Sequence, residues 1–98
     1  MNAYNFRNID AFLEPYAEDV EVYNYPDELQ YKGKDKMRET YSTMFKNTPD
    51  LHCELKERIV QGNIVIDKER VQFGDRLIEV VVIYHIENNK IKKVFFVR

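Results

Sequence analysis

Apolar residues at the start of the chain recur at helical spacing, and those of the second half recur at strand spacing. Ile9, Phe12, Leu13 and Tyr16 stand at i, i+3, i+4 and i+7, which predicts a short helix over 8–18. Asn8 is placed to cap it, and Asp10 lies in the first turn, where a carboxylate favours the helix dipole. Pro15 bends or ends this helix. Residues 20–25 read as a strand. Met37, Tyr41, Met44 and Phe45 lie at i, i+4, i+7 and i+8, a single apolar face of a helix over 35–46. Asn47-Thr48-Pro49 stops it. From residue 51 onward the pattern predicts strands over 51–61, 63–72, 77–87 and 90–98. Gly62-Asn63, Phe73-Gly74-Asp75 and Asn88-Asn89 supply the turns.

Helices first and a strand meander afterwards is the order of an α+β fold. In it a cone-shaped, curved antiparallel sheet wraps around short N-terminal helices and leaves a pocket. Connections this short make sequential strands antiparallel neighbours. The 77–87 segment is apolar on both faces, and Val94, Phe95, Phe96 and Val97 are consecutive. A sheet with helices on one side only should alternate. The second apolar face therefore calls for a second cover, and a partner copy, giving a homodimer, is the simplest one.

With 98 residues, the chain is read as one domain over 1–98. A domain of this size buries roughly 60–70% of its unfolded surface, so burial by dimerisation adds usefully to one modest core. Hydrophobic residues at 44% and charged residues at 33% fit a globular protein. A net charge of −2 argues against a dedicated nucleic-acid binder, and Lys90, Lys92 and Lys93 read as a solvated edge. No apolar stretch is long enough for a signal peptide or a membrane span. One cysteine, Cys53, excludes an internal disulfide and fits a reducing compartment, so a cytoplasmic location is expected. No cofactor is expected: three glycines build no phosphate loop. No metal site is expected either, because His52 and Cys53 are strand neighbours that point to opposite faces.

Four segments carry a resemblance to a known group: Asn8-Ile-Asp-Ala-Phe-Leu with Tyr16-Ala-Glu-Asp-Val-Glu-Val, Tyr31-Lys-Gly-Lys-Asp-Lys-Met-Arg-Glu, Gly62-Asn with Glu69-Arg70-Val71, and Ile91 through Val97. Together they make the chain similar, from Ala3 onward, to the nuclear transport factor 2-like superfamily. That group includes ketosteroid isomerases, SnoaL-like polyketide cyclases and limonene-epoxide hydrolases. The resemblance implies the cone fold and a small-molecule pocket. It places Asn24 where the isomerases have their Asp base, and an amide cannot act as that base. Val82 stands where they have a protonated Asp, and their oxyanion Tyr falls ahead of Met1. Against the epoxide hydrolases, Asn24 and Arg70 match the water-holding Asn and the Arg between two acids. Val22, Gln72 and Phe96 replace their Tyr and their two Asp residues. No catalytic residue is therefore carried over.

The resemblance also implies an inward face of Val22, Asn24, Ile66, Lys68, Arg70, Gln72, Val80, Val82, Tyr84, Val94, Phe96 and Arg98. It implies an outward face of Val65, Asp67, Glu69, Val71, Val81, Ile83, His85, Phe95 and Val97. A one-residue slip exchanges the two faces of a strand. On this assignment the pocket binds a largely apolar ligand with a polar or anionic end. Asn24, Arg70 and Gln72 are its anchors, Arg70 above all, and Val82, Tyr84 and Phe96 belong to the wall. Two alternatives stand beside this. One is an enzyme of the isomerase, hydrolase or cyclase type using a displaced acid, for which Asp27 and Glu28 are the carboxylates near the pocket mouth. The other is an interaction domain whose cone is plugged by side chains. An open cavity with a raised-pKa carboxylate favours the enzyme, and a closed core favours the interaction domain.

Overall fold

In the computed structural model, which describes residue 5 and residues 7–98, the first predicted helix is shorter than its periodicity suggests. Helix α1 spans Ile9–Leu13, capped by the Asn8 side chain, whose Oδ1 accepts from the Ala11 N–H at 3.1 Å. Pro15 ends the helical run, and Tyr16 opens strand β1 (Tyr16–Asn24) instead of closing the helix. Tyr16, Val20 and Val22 are buried on one side of that strand.

A hairpin leads to β2 (Glu28–Lys32), an edge strand that the sequence pattern does not reveal. Four of its five residues are exposed and only Tyr31 is partly covered, so it has no apolar alternation to read. Gly33, at φ 101°, turns the chain from β2 into helix α2 (Lys34–Asn47). This helix buries Met37 and Phe45, with Tyr41 and Met44 packed beside them, as the spacing predicts. The Arg7 guanidinium donates to the carbonyls of Thr48 (3.3 Å) and Leu51 (2.9 Å), so a cation satisfies acceptors just past the end of α2.

Strands β3 (His52–Gln61), β4 (Ile64–Phe73), β5 (Arg76–Glu87) and β6 (Lys90–Val97) follow, each within a residue or two of its predicted span. The sheet order is β2-β1-β6-β5-β4-β3. All neighbours are antiparallel except β1 and β6, which run parallel, because the last strand returns beside the first. The curved sheet does not close, since β2 and β3 end it on either side. Both helices lie against its inner face, and Leu13, Val20, Met37, Leu51, Val82 and Val94 form the centre of the core. This is the expected α+β cone.

On the outer face one row of cross-strand neighbours runs Tyr23, Phe95, Ile83, Ile66 and Ile59 through β1, β6, β5, β4 and β3. Tyr23 and Phe95 stack with centroids 4.9 Å apart.

Candidate functional site

The mouth of the cone opens on a cavity of about 470 Å³ between the helices and strands β3 to β6. Most of its wall is apolar or aromatic: Phe12 from α1, Met37, Tyr41 and Met44 from α2, Val80, Tyr84 and Ile86 from β5, and Val94 and Phe96 from β6. The Phe12 ring packs against Tyr16 and Tyr41 at 5.4 and 4.6 Å.

Polar chemistry enters this wall from β3 and β4. Asp67 and Glu69 are two residues apart on β4, so both point to the same side, and both are buried inside the cone. Burying two carboxylates is costly unless each finds partners, and the two are satisfied very differently. Asp67, at 1% exposure, accepts a bidentate pair from Arg58: Nε to Oδ1 at 2.7 Å and Nη2 to Oδ2 at 2.8 Å. A bulge in β3 makes this pair possible. Cys53 and Leu55 face the same side as their β4 partners Val71 and Glu69, but the register shifts between Leu55 and Glu57, and Arg58 then stands opposite Asp67. Without the extra residue, Glu57 would face inward instead.

Glu69, at 6% exposure, has much less. Its Oε1 accepts from the Cys53 thiol at 3.4 Å, and its Oε2 is buried with no hydrogen-bond partner among the described residues. Burial pushes the Glu69 carboxyl above its usual range, and the nearby Asp67 charge adds to the rise. The Cys53 thiol and the neighbouring Tyr84 hydroxyl pull it partly back. Burial, followed by the Glu69 charge, pushes the Cys53 thiol up to about 12. Burial likewise holds the Tyr16 and Tyr84 phenols above their usual value, and the Glu69 charge adds to both. At neutral pH the site therefore offers two protonated hydroxyls, a protonated thiol, a neutralised Asp67–Arg58 pair, and one carboxyl group that pairs with no Lys, Arg or His side chain among the described residues. Among the described residues no group of three or more His, Cys, Asp or Glu side chains could hold a metal ion.

The model of the SnoaL-like domain matches residues 1–94. The chain belongs to the SnoaL-like family. Three solved structures illustrate its likeness to known proteins. An uncharacterised cystatin-fold protein from Novosphingobium aromaticivorans superposes with a TM-score of 0.92 at 28% identity, covering 99% of this chain and 90% of that one. A SnoaL-like protein of unknown function from Burkholderia thailandensis superposes at 0.82 with 21% identity, over 97% and 84% of the two chains. An LEH-like epoxide hydrolase from M. tuberculosis superposes at 0.78 with 12% identity, over 98% and 74%. The last two likenesses concern the fold alone. No curated protein matches the chain.

In this SnoaL-like protein the expected site residues separate. Tyr84 and Phe96 line the cavity as expected. Val82 points the same way but lies in the core, 1% exposed, outside the cavity wall. Asn24 sits at the rim, donating to Glu28 Oε1 at 2.9 Å and accepting from Arg98 Nη1 at 2.9 Å. Arg98 lines the mouth and lies over the Phe96 ring.

The face assignment of β4 is reversed. Arg70 and Gln72 stand on the outer face, as do Ile66 and Lys68, while Val65, Asp67, Glu69 and Val71 line the cavity. Arg70 lies 3.6 Å from Glu79 on β5, both of them well exposed, and the Gln72 amide donates to the Gly74 carbonyl at 3.2 Å. Both faces of β4 mix apolar and charged residues, so alternation alone marks neither clearly. The physical reason for the outcome is cost. Turning Lys68, Arg70 and Gln72 inward would bury two cations and an amide beneath the helices. The observed face buries Val65, Val71 and Phe73 with two acids, one of them paired. A readable signal existed in Val71 and Phe73, which extend the apolar set of the odd-numbered positions. Arg58 was not foreseeable from spacing, because the bulge that turns it inward leaves no mark in the apolar pattern.

Proposed function

We propose that this protein binds a small, largely apolar molecule inside the cone and holds it by a polar group directed at Glu69. The observation that carries this reading is the buried, unpartnered Oε2 of Glu69 in the wall of an otherwise apolar cavity. A buried polar atom without a partner costs free energy, and a ligand that donates to it recovers that cost. The anchor is thus an acid on β4, and Arg70, on the other face, takes no part.

The test is a titration with 1-aminoanthracene, an apolar dye that brightens out of water. The expected result is saturable binding at one site per chain, abolished by Val80→Trp, which fills the cavity. Dye binding that never saturates, or that survives the filling variant unchanged, refutes the pocket.

An enzyme is the second reading, favoured by one observation: the carboxyl with the raised pKa lies beside the Tyr84 hydroxyl. Such a pair suits proton abstraction next to a carbonyl, with Glu69 as base and Tyr84 donating to the developing oxyanion. Deuterium exchange at the α-carbon of an apolar ketone, lost in Glu69→Gln, is the expected signature.

We also propose that the protein is a homodimer joined through the outer face of the sheet, where the row from Tyr23 to Ile59 carries no cover from the described helices. Among the described residues no helix is long and apolar enough to cross a membrane. The single buried cysteine suits the reducing cytoplasm, the compartment we propose.

A further inference from the structure

The charge inventory of the cavity narrows the ligand class, given the reading that the cavity is the binding site. We propose that the cone takes a hydrophobic amine, whose ammonium group pairs with Glu69 Oε2 while its apolar body lies against the aromatic wall.

Asp67 has a guanidinium donor on each oxygen and needs nothing more. Arg58 is committed to it in return, with its outer half in solvent. Arg98 is exposed, donates to Asn24 and lies over Phe96 at the rim, so water screens it. Among the described residues Glu69 is left as the one buried charged group without a countercharge: its Oε1 accepts a weak hydrogen bond from the Cys53 thiol, the Tyr84 hydroxyl lies nearby, and its Oε2 has no hydrogen-bond partner. An ammonium ion brings both missing things, a positive charge and strong donors. An alcohol brings a donor without the charge. A carboxylate would face two acids, with the inner guanidinium already occupied. The wall also suits a cation: the clustered rings of Phe12, Tyr16 and Tyr41 all border the cavity, and an ammonium near an aromatic face gains further attraction.

Three probes that share a naphthyl ring and differ in their polar end separate these classes: 2-(1-naphthyl)ethylamine, 2-(1-naphthyl)ethanol and 1-naphthaleneacetate. Calorimetric titration of the wild-type protein near neutral pH is expected to rank them in that order, the amine binding about 10- to 100-fold more tightly than the alcohol. Glu69→Gln is expected to bring the amine down to the level of the alcohol and to leave the alcohol almost unchanged. The wild-type ranking alone decides the matter if the variant does not fold. Alcohol or carboxylate binding as tightly as the amine overturns the proposal, as does amine binding that survives Glu69→Gln. If 1-aminoanthracene saturates a site that the amine does not enter, only the amine class fails. If neither binds, the pocket reading fails with it.

Discussion

Glu69 and Cys53 form a pair in which each side chain alters the other's acidity, and both effects are measurable. In the folded protein the Glu69 carboxyl holds its proton to a higher pH than in the unfolded chain, because burial penalises its charge. As pH rises past the ordinary carboxyl range, near ~4.3, the unfolded state gives up this proton first. The native state therefore loses stability through that window, and the loss is complete above the raised pKa. Glu69→Gln is neutral throughout and lacks this falling limb. Urea unfolding over a pH series that starts in the ordinary carboxyl range should show the variant gaining on wild type as pH rises, and a difference that stays constant across the series contradicts the assignment. The thiol gives a second prediction. With its pKa pushed up to about 12, Cys53 is ionised to roughly one part in ten thousand at pH 8. Iodoacetamide should label it only after unfolding, and rapid labelling of the native protein would show the thiol to be exposed or activated.

At the scale of elements, β4 presents two faces with opposite consequences for the same kind of substitution. Arg58 comes from the bulged β3 to neutralise Asp67, which is almost wholly buried. Arg58→Met leaves that carboxylate alone, and should destabilise the protein by about 2 kcal/mol, below the full value for a buried pair because Arg58 is half exposed. Arg70→Met removes a surface ion pair with Glu79 on the other face. It should change stability by less than about 1 kcal/mol and leave dye binding intact. Chemical denaturation of both variants compares the two faces directly. Equal costs, or loss of binding in Arg70→Met, would restore the inward placement of Arg70.

The whole molecule carries its helices on one side of the sheet and a continuous apolar row on the other. Tyr23, Phe95, Ile83, Ile66 and Ile59 are adjacent across five strands. Around them Glu21, Lys93, Lys68 and Glu57 mix both signs of charge, which suits contact with a second copy related by a two-fold axis. Sedimentation velocity should find a dimer at micromolar concentration, and Ile83→Lys, at the centre of the row, should convert it to a less stable monomer. Wild-type protein that sediments as a monomer at about 100 μM, where even weak specific dimers form, counts against this interface.

The elements of this fold were legible in the chain because each follows from local chemistry. Asn8 caps α1, the Met37–Phe45 face makes α2, and four period-two segments with glycine or asparagine turns make the meander. The similarity carried by a few segments identified the family fold, and the inward placement of Tyr84 and Phe96 held. Three things were decided only by tertiary structure. Strand β2 exists because β1 offers it an edge, since its own residues bury almost nothing. The facing of β4 turned on which charged residues were cheaper to bury, a comparison that needs the neighbouring strands. The site itself depends on the β3 bulge, which brings Arg58 to Asp67 across nine residues of sequence and leaves Glu69 Oε2 without a hydrogen-bond partner among the described residues. Period and turn chemistry are properties of neighbours along the chain. The partner of a buried charge is a property of neighbours in space, and here that partnership determines the chemistry of the cavity.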